Sequence, residues 1–316
     1  QLPGRRRCYR RLQICDYTVQ AIQRRVRFGR AELINMKHFL LLITGLALSA
    51  NSLAGGGWTS KKGHGYFKLE ERWIIANQFF DKEGNVVPIT TSSIYLTNFY
   101  GEYGITDRID IIGTVPLIAR NVLNERQFTL SGRTEPGDAV TSLGDMLVGA
   151  KYGIIQDKAF VLAAGVYFGL PTGNPGGGNT MLLQTGDGEF NQLVRLEGGV
   201  SLYPLPAYAT FGVGLNNRTK GFSEELHYNA EIGYTIKEKV LVSAMIRSVS
   251  SFFNGDAPDA VNGIFSNNTE YFAYGPQVAY LHKGGKLGAS LAVDYALSGK
   301  NVLARPAWSV GIFFKP

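Results

Sequence analysis

The chain has 316 residues, with 32 basic and 25 acidic side chains, two cysteines and a formal net charge of +7. That charge sits at one end, because ten of the basic and two of the acidic residues precede Gly55. The remainder holds 22 basic and 23 acidic residues, a net charge of −1, and no cysteine, which excludes disulfide frameworks, thiolate chemistry and a nucleic-acid partner for that part.

Residues 1–35 are rich in arginine and show no amphipathic period. They read as an upstream extension, the rival being a basic arm for nucleic acid. Residues 36–54 have the three parts of a secretory signal: Lys37, the apolar run Phe39 to Leu48, and the small-residue cleavage site Ser52-Leu53-Ala54. That run is too short for a membrane-spanning helix. Residues 55–65, GGGWTSKKGHG, are expected to lie in the periplasm or to tuck into the mouth of whatever follows.

From Tyr66 to Phe79, Phe67, Leu69, Trp73 and Ile75 fall on one face, with Tyr66, Lys68, Glu70 and Arg72 on the other. Successive side chains of a strand point to opposite faces, so this is a strand with one apolar face, which Glu71 and Asn77 interrupt. A second strand, 93–103, has less clearly separated faces, and a third runs to about Leu117. After a long loop at 118–141 comes the clearest stretch. Met146, Val148, Ala150 and Tyr152 share one parity; past Gln156-Asp157-Lys158, Phe160, Leu162, Ala164, Val166, Phe168 and Leu170 do the same. Each segment has the length of a tilted transmembrane strand.

Strands follow at 192–203, 208–216, 226–235, 240–249, 270–281, 287–297 and 305–314, with long loops at 171–190 and 251–268. The count is twelve, with short turns after even strands and longer loops after odd ones. An antiparallel transmembrane β-barrel has this asymmetry, with short periplasmic turns and long extracellular loops. Aromatic residues near strand ends (Trp73, Phe79, Tyr152, Phe160, Phe168, Tyr234 and Trp308) are expected to form interfacial girdles. The fold class is therefore all-β, a barrel of about 12 strands.

The residues SLGDMLVGAKYGIIQDKAFVLAAGVYFGLPTGN, with QTGDGEF and NAEIGYTI further on, resemble the outer-membrane family of transporters assigned to the phenol-degradation meta pathway. The shared elements are Gly144-Asp145, Gly149, Lys151-Tyr152 and Pro171-Thr172-Gly173. The resemblance implies an outer-membrane barrel that moves small, often aromatic, compounds. It also implies a barrel ending on an aromatic residue, whereas Lys315 and Pro316 follow Phe314 here.

If the apolar parities face lipid, Lys68, Glu70, Arg72, Asp145, Lys151, Arg195, Glu197, His227, Glu231, Arg247 and Asp294 line the lumen. They either orient a passing solute or brace a filled interior. Glycines of the same parity (149, 153, 165, 169, 199, 212 and 214) are expected to leave open space. The run Gly176-Gly177-Gly178 lacks the Gly-Lys-Ser/Thr of a phosphate loop, and Asp187, Glu189, Asp256 and Asp259 read as solvated loop charge rather than a calcium or lipopolysaccharide bridge. No cofactor or metal is expected. A lipid hydrolase would need serine beside histidine within reach of lipid, and His64, His227 and His282 are not placed for it. The expected function is a passive channel for small hydrophobic or aromatic solutes. The alternative is a closed structural or adhesion-type barrel acting through its loops. Expected partners are outer-membrane lipid, lipopolysaccharide, the barrel-insertion machinery and the solutes.

Overall fold

A computed structural model describes residues 56–127, 132–181, 183–253 and 268–316; the arginine-rich extension, the signal sequence, Asp256 and Asp259 lie outside them. The alternating segments form twelve long strands: β1 Gly65–Phe80, β2 Val86–Thr106, β3 Ile109–Leu123, β4 Met146–Ile155, β5 Phe160–Leu170 and β6 Asn191–Ser201. The others are β7 Ala207–Arg218, β8 Glu225–Ile236, β9 Val240–Ser251, β10 Glu270–His282, β11 Leu287–Lys300 and β12 Ala307–Phe314. Each pairs antiparallel with its neighbours in sequence. The sheet closes where β1 pairs with β12, in a register that sets Leu69 against Ile312 and Trp73 against Trp308. Closure satisfies every edge, as a sheet in lipid requires.

The apolar faces look outward. Ile232 and Ile312 are 56% and 60% exposed, and Tyr152, Phe160, Phe168, Tyr234 and Trp308 stand on the same outer surface. In a soluble barrel these side chains would be inside; here lipid covers them. The protein is an outer-membrane barrel. Glu71 shares the outer parity and accepts the Thr97 hydroxyl from its register partner on β2, which keeps the carboxylate hydrogen-bonded on that wall.

Phe79 departs from the expected girdle. A bulge between Ala76 and Gln78 reverses the parity of β1, so Phe79 turns inward and is 6% exposed, packed with Ala76 and Leu303. The expected loop at 118–141 also starts later. Ala119 to Leu123 pair with Asp138–Ser142, and Arg126–Gln127 pair with Thr134–Glu135. β2 is 21 residues long, about twice what crosses the bilayer core, so this hairpin continues past the lipid, where polar residues can face outward on both sides.

Candidate functional site

The turns after β2, β4, β6, β8 and β10 are short, and the N-terminal segment sits at their end of the barrel. Gly63 N–H donates to the Gly104 carbonyl and Gly104 N–H to that of His64, both at 2.9 Å. From there the chain runs inward along a ladder of side-chain acceptors. Lys62 N–H donates to Asp107 Oδ1 (2.9 Å), Ser60 N–H to both oxygens of Asp110 (3.1 and 3.0 Å), and Thr59 N–H to Gln156 Oε1 (3.2 Å). Gln156 Nε2 then donates to the Gly57 carbonyl (2.6 Å). A Cβ on Gly57 would stand 2.8 Å from the Val161 carbonyl oxygen, so only glycine passes there. The Trp58 ring lies on Gly199, where a Cβ would come within 2.2 Å of it, and meets Tyr208 edge-on at 6.4 Å. Residues 56–62 thus form a floor held against the inner wall of β3 to β7 at the periplasmic end.

Against this floor lies a buried charge cluster. Lys151 on β4 is directly opposite Asp110 on β3, and its Nζ lies 3.9 Å from Asp110 Oδ2 and 3.4 Å from Glu102 Oε2. It also donates to the Gly56 carbonyl at 3.3 Å. Lys151 is 1% exposed and Asp110 0%. Tyr100 donates its hydroxyl to Glu102, while Tyr167 packs with Ile112 and Leu193.

Above the floor is an internal cavity of about 350 Å³. Five residues expected in the lumen line it: Arg195, Glu197, His227, Glu231 and Arg247. The others are placed around it or apart from it. Lys68 pairs with Glu70. Arg72 and Arg247, from β1 and β9, converge on Asp294 at 2.7 and 3.1 Å. Lys151 belongs to the floor cluster. Asp145 stands just before β4 in the outer loop region, where its carboxylate accepts the backbone N–H groups of Gly173 (2.8 Å) and Asp187 (2.6 Å).

The glycines expected to leave open space are largely covered by side chains lying flat. Tyr167 covers Gly165, Gln156 covers Gly153, Asn191 covers Gly169, and Arg195 lies over Gly214. Residues missed by parity include Glu102 and Asp110, because bulges at Thr97/Asn98 and Gly104/Thr106 scramble the alternation of β2 against β3. Tyr100, Asn229 and Tyr271 also line the cavity.

At the extracellular end, Asp187 and Glu189 are not solvated loop charge. Arg218, 5% exposed at its side chain, holds Asp187 (2.6 Å), Glu189 (2.7 Å) and Glu225 (2.8 Å). His227 Nε2 meets the other oxygen of Glu225 at 2.8 Å. This ties the 171–190 loop to the rims of β7 and β8. Burial pushes the Asp187 carboxyl up to about 6, against the opposing pull of Arg218.

Asp138 ties the same loop on its other side. Its carboxylate accepts the Thr180 hydroxyl (2.6 Å) and the N–H groups of Thr180 and Asn179 (both 2.9 Å). These bonds hold its carboxyl down at about 2. A depressed acid contributes stability above its unfolded value, ~3.9, and loses it as pH falls through the folded one. Protease resistance of the 174–181 segment is therefore expected to persist well below neutral pH and fade toward about 2. Asp138→Asn, digested with proteinase K, is expected to lose that resistance throughout.

These features define the class: a closed outer-membrane β-barrel with a polar internal cavity, a floor of its own N-terminal segment, and tied extracellular loops. The chain belongs to the family described as "Putative MetA-pathway of phenol degradation", whose pattern matches residues 76–305. Among solved structures it is similar to the COG4313 outer membrane channel from Pseudomonas putida F1, at 12% identity and a TM-score of 0.55, covering 83% of this chain and 99% of that one. It also matches the NanC porin at 10% identity and a TM-score of 0.43, covering 78% and 98% of the two chains. The CymD monoaromatic hydrocarbon channel matches at 8% identity and a TM-score of 0.38, covering 81% and 88%. At these identities the likeness concerns the fold. No curated protein sequence matches the chain.

Proposed function

We propose that the protein is an outer-membrane channel that passively moves small hydrophobic or aromatic solutes through a polar-lined lumen, with residues 56–62 as its periplasmic closure. The observation that supports this reading is the half-open cavity above the floor, lined by charged, amide and tyrosine side chains of the inner barrel wall. A barrel built only for strength has no need to keep such a space. The floor itself is joined to the wall by hydrogen bonds and one glycine-limited passage, contacts that can be exchanged for water without unfolding a strand. The family description agrees with this reading.

The floor also suits the second reading, a closed barrel acting through its outer loops. A lipid hydrolase is disfavoured by the placement of the histidines: His227 points inward to Glu225, and His64 Nδ1 meets the Lys62 carbonyl. Flux separates the first two readings. Proteoliposomes holding the chain are expected to take up radiolabelled phenylalanine, an aromatic zwitterion that lipid excludes, faster than empty vesicles. Removal of residues 56–62 should raise the rate further. Uptake equal to that of empty vesicles from both proteins would return the barrel to a closed, structural role.

A further inference from the structure

The guanidinium groups at the cavity have fewer anions than they can bind. Arg195 leaves β6 and lies along β7 in room that two glycines provide. A Cβ on Gly214 would stand 2.8 Å from Arg195 Cγ, and one on Gly212 3.2 Å from Arg195 Nη2. Held there, Arg195 donates to Asn229 Oδ1 at 2.6 Å, but Glu197 is 3.4 Å away and the buried Nε has no acceptor among the described residues. On the other side of Asn229, its register partner Arg247 shares the one carboxylate of Asp294 with Arg72. Among the described residues, Arg247 Nη2 meets Met245 Sδ, at 2.7 Å, a weak acceptor.

The acids on the same wall lie lower. Glu197 and Glu231 are each two residues nearer the periplasmic ends of β6 and β8 than Arg195 and Asn229, respectively, and Glu231 accepts the Tyr208 hydroxyl. A solute arriving from outside passes a rim whose acids are already held by Arg218, and then meets Arg195, His227 and Arg247 before Glu197 and Glu231. A planar guanidinium with free N–H groups matches a carboxylate, with two such groups about one amide side chain matching it better than one. A volume of about 350 Å³ is at the small end of ligand sites, enough for one ring and its acid group. Tyr100, Tyr271 and Met245 supply the apolar surface for that ring.

We propose that this cavity is a binding site for a single-ring aromatic carboxylate, its acid group between Arg195 and Arg247 and its ring against Tyr100, Tyr271 and Met245. The proposal rests on the channel reading for its biological meaning, but binding can be measured without flux.

The test is equilibrium dialysis of labelled benzoate, benzyl alcohol and benzylammonium against the detergent-refolded chain, with folding checked by the heat-dependent shift of the barrel on gels. Benzoate is expected to saturate one site per barrel, and benzylammonium to show no saturable binding. Arg195→Met and Arg247→Met should each weaken benzoate by roughly tenfold to a hundredfold, the usual worth of a charge-assisted hydrogen bond, and leave benzyl alcohol unchanged. Glu197→Gln frees Arg195 of its nearest anion and should tighten benzoate, a gain that a damaged barrel cannot produce. Absence of saturable benzoate binding, equal binding of benzylammonium, or indifference of benzoate to all three substitutions would overturn the proposal. A barrel that binds benzoate but passes no solute keeps this site and loses the channel reading; one that passes solutes without binding benzoate loses the site alone.

Discussion

Replacing Lys151 by methionine is expected to destabilise the folded barrel by about 3–5 kcal/mol, the cost of leaving a buried charge without its partner. Its ammonium stands between Glu102 and Asp110, at 3.4 and 3.9 Å, with all three side chains nearly inaccessible to water. Methionine fills similar volume, so the loss is electrostatic rather than a cavity. Two facing carboxylates then repel each other at low local dielectric and pull in water or protons. The same change removes the donor to the Gly56 carbonyl, so the floor loosens with the wall. Urea unfolding followed by tryptophan fluorescence measures the effect, with Trp58 reporting on the floor. Adding Glu102→Gln to Lys151→Met should recover a large part of the loss, because it removes one of the two orphaned charges. If the double substitution is no more stable than the single one, the cluster is not held by charge.

The second large effect is expected at the opposite end. Arg218→Gln removes the cation that Asp187, Glu189 and Glu225 share, two of them 1% and 7% exposed. Loss of a buried pair costs about 3–5 kcal/mol, and here three carboxylates are stranded together. The barrel has many other strand pairings, so the cost is met locally: the 183–190 segment should swing out to hydrate its acids. Proteinase K is then expected to cut between 183 and 190 in the variant while the strands stay intact. Glu225 keeps His227 and Asn216 as partners, so the β8 rim should hold while the loop leaves. Cleavage rates matching the unsubstituted protein would mean that Asp138 and Asp145 alone suffice to hold the loop.

How much of this was legible in the sequence depended on whether alternation ran unbroken. From Met146 to Ile154, and again from Phe160 to Leu170, every second residue is apolar, and this hairpin stands where the parity put it, Val148, Tyr152, Phe160 and Phe168 outward, Lys151 inward. β2 gave little because two bulges shift its register with β3, which hid Glu102 and Asp110, the partners that Lys151 requires. Phe79 misled for the same reason on β1. The loop acids misled differently. Nothing in TGDGE distinguishes a solvated carboxylate from one facing an arginine about 30 residues later, since the pairing of Asp187 and Glu189 with Arg218 exists only once β6 and β7 are side by side. The glycines of lumen parity read as empty space, yet a glycine is equally a place where a long neighbour can lie flat, and Arg195 over Gly214 is that case. The floor had no period to read at all. Its residues bind through backbone groups, and Gly57 and Trp58 fit because of what surrounds them.

The most direct test of the account is single-channel conductance in planar bilayers, comparing the barrel from Gly55 onward with one lacking residues 56–62. A lumen closed by its own N-terminal segment predicts rare or small openings in the first. It predicts steady current in the second, larger by on the order of tenfold, once a continuous water path exists. Identical currents from the two would contradict the floor as a closure, and silence from both, with the barrels folded, would contradict the channel itself.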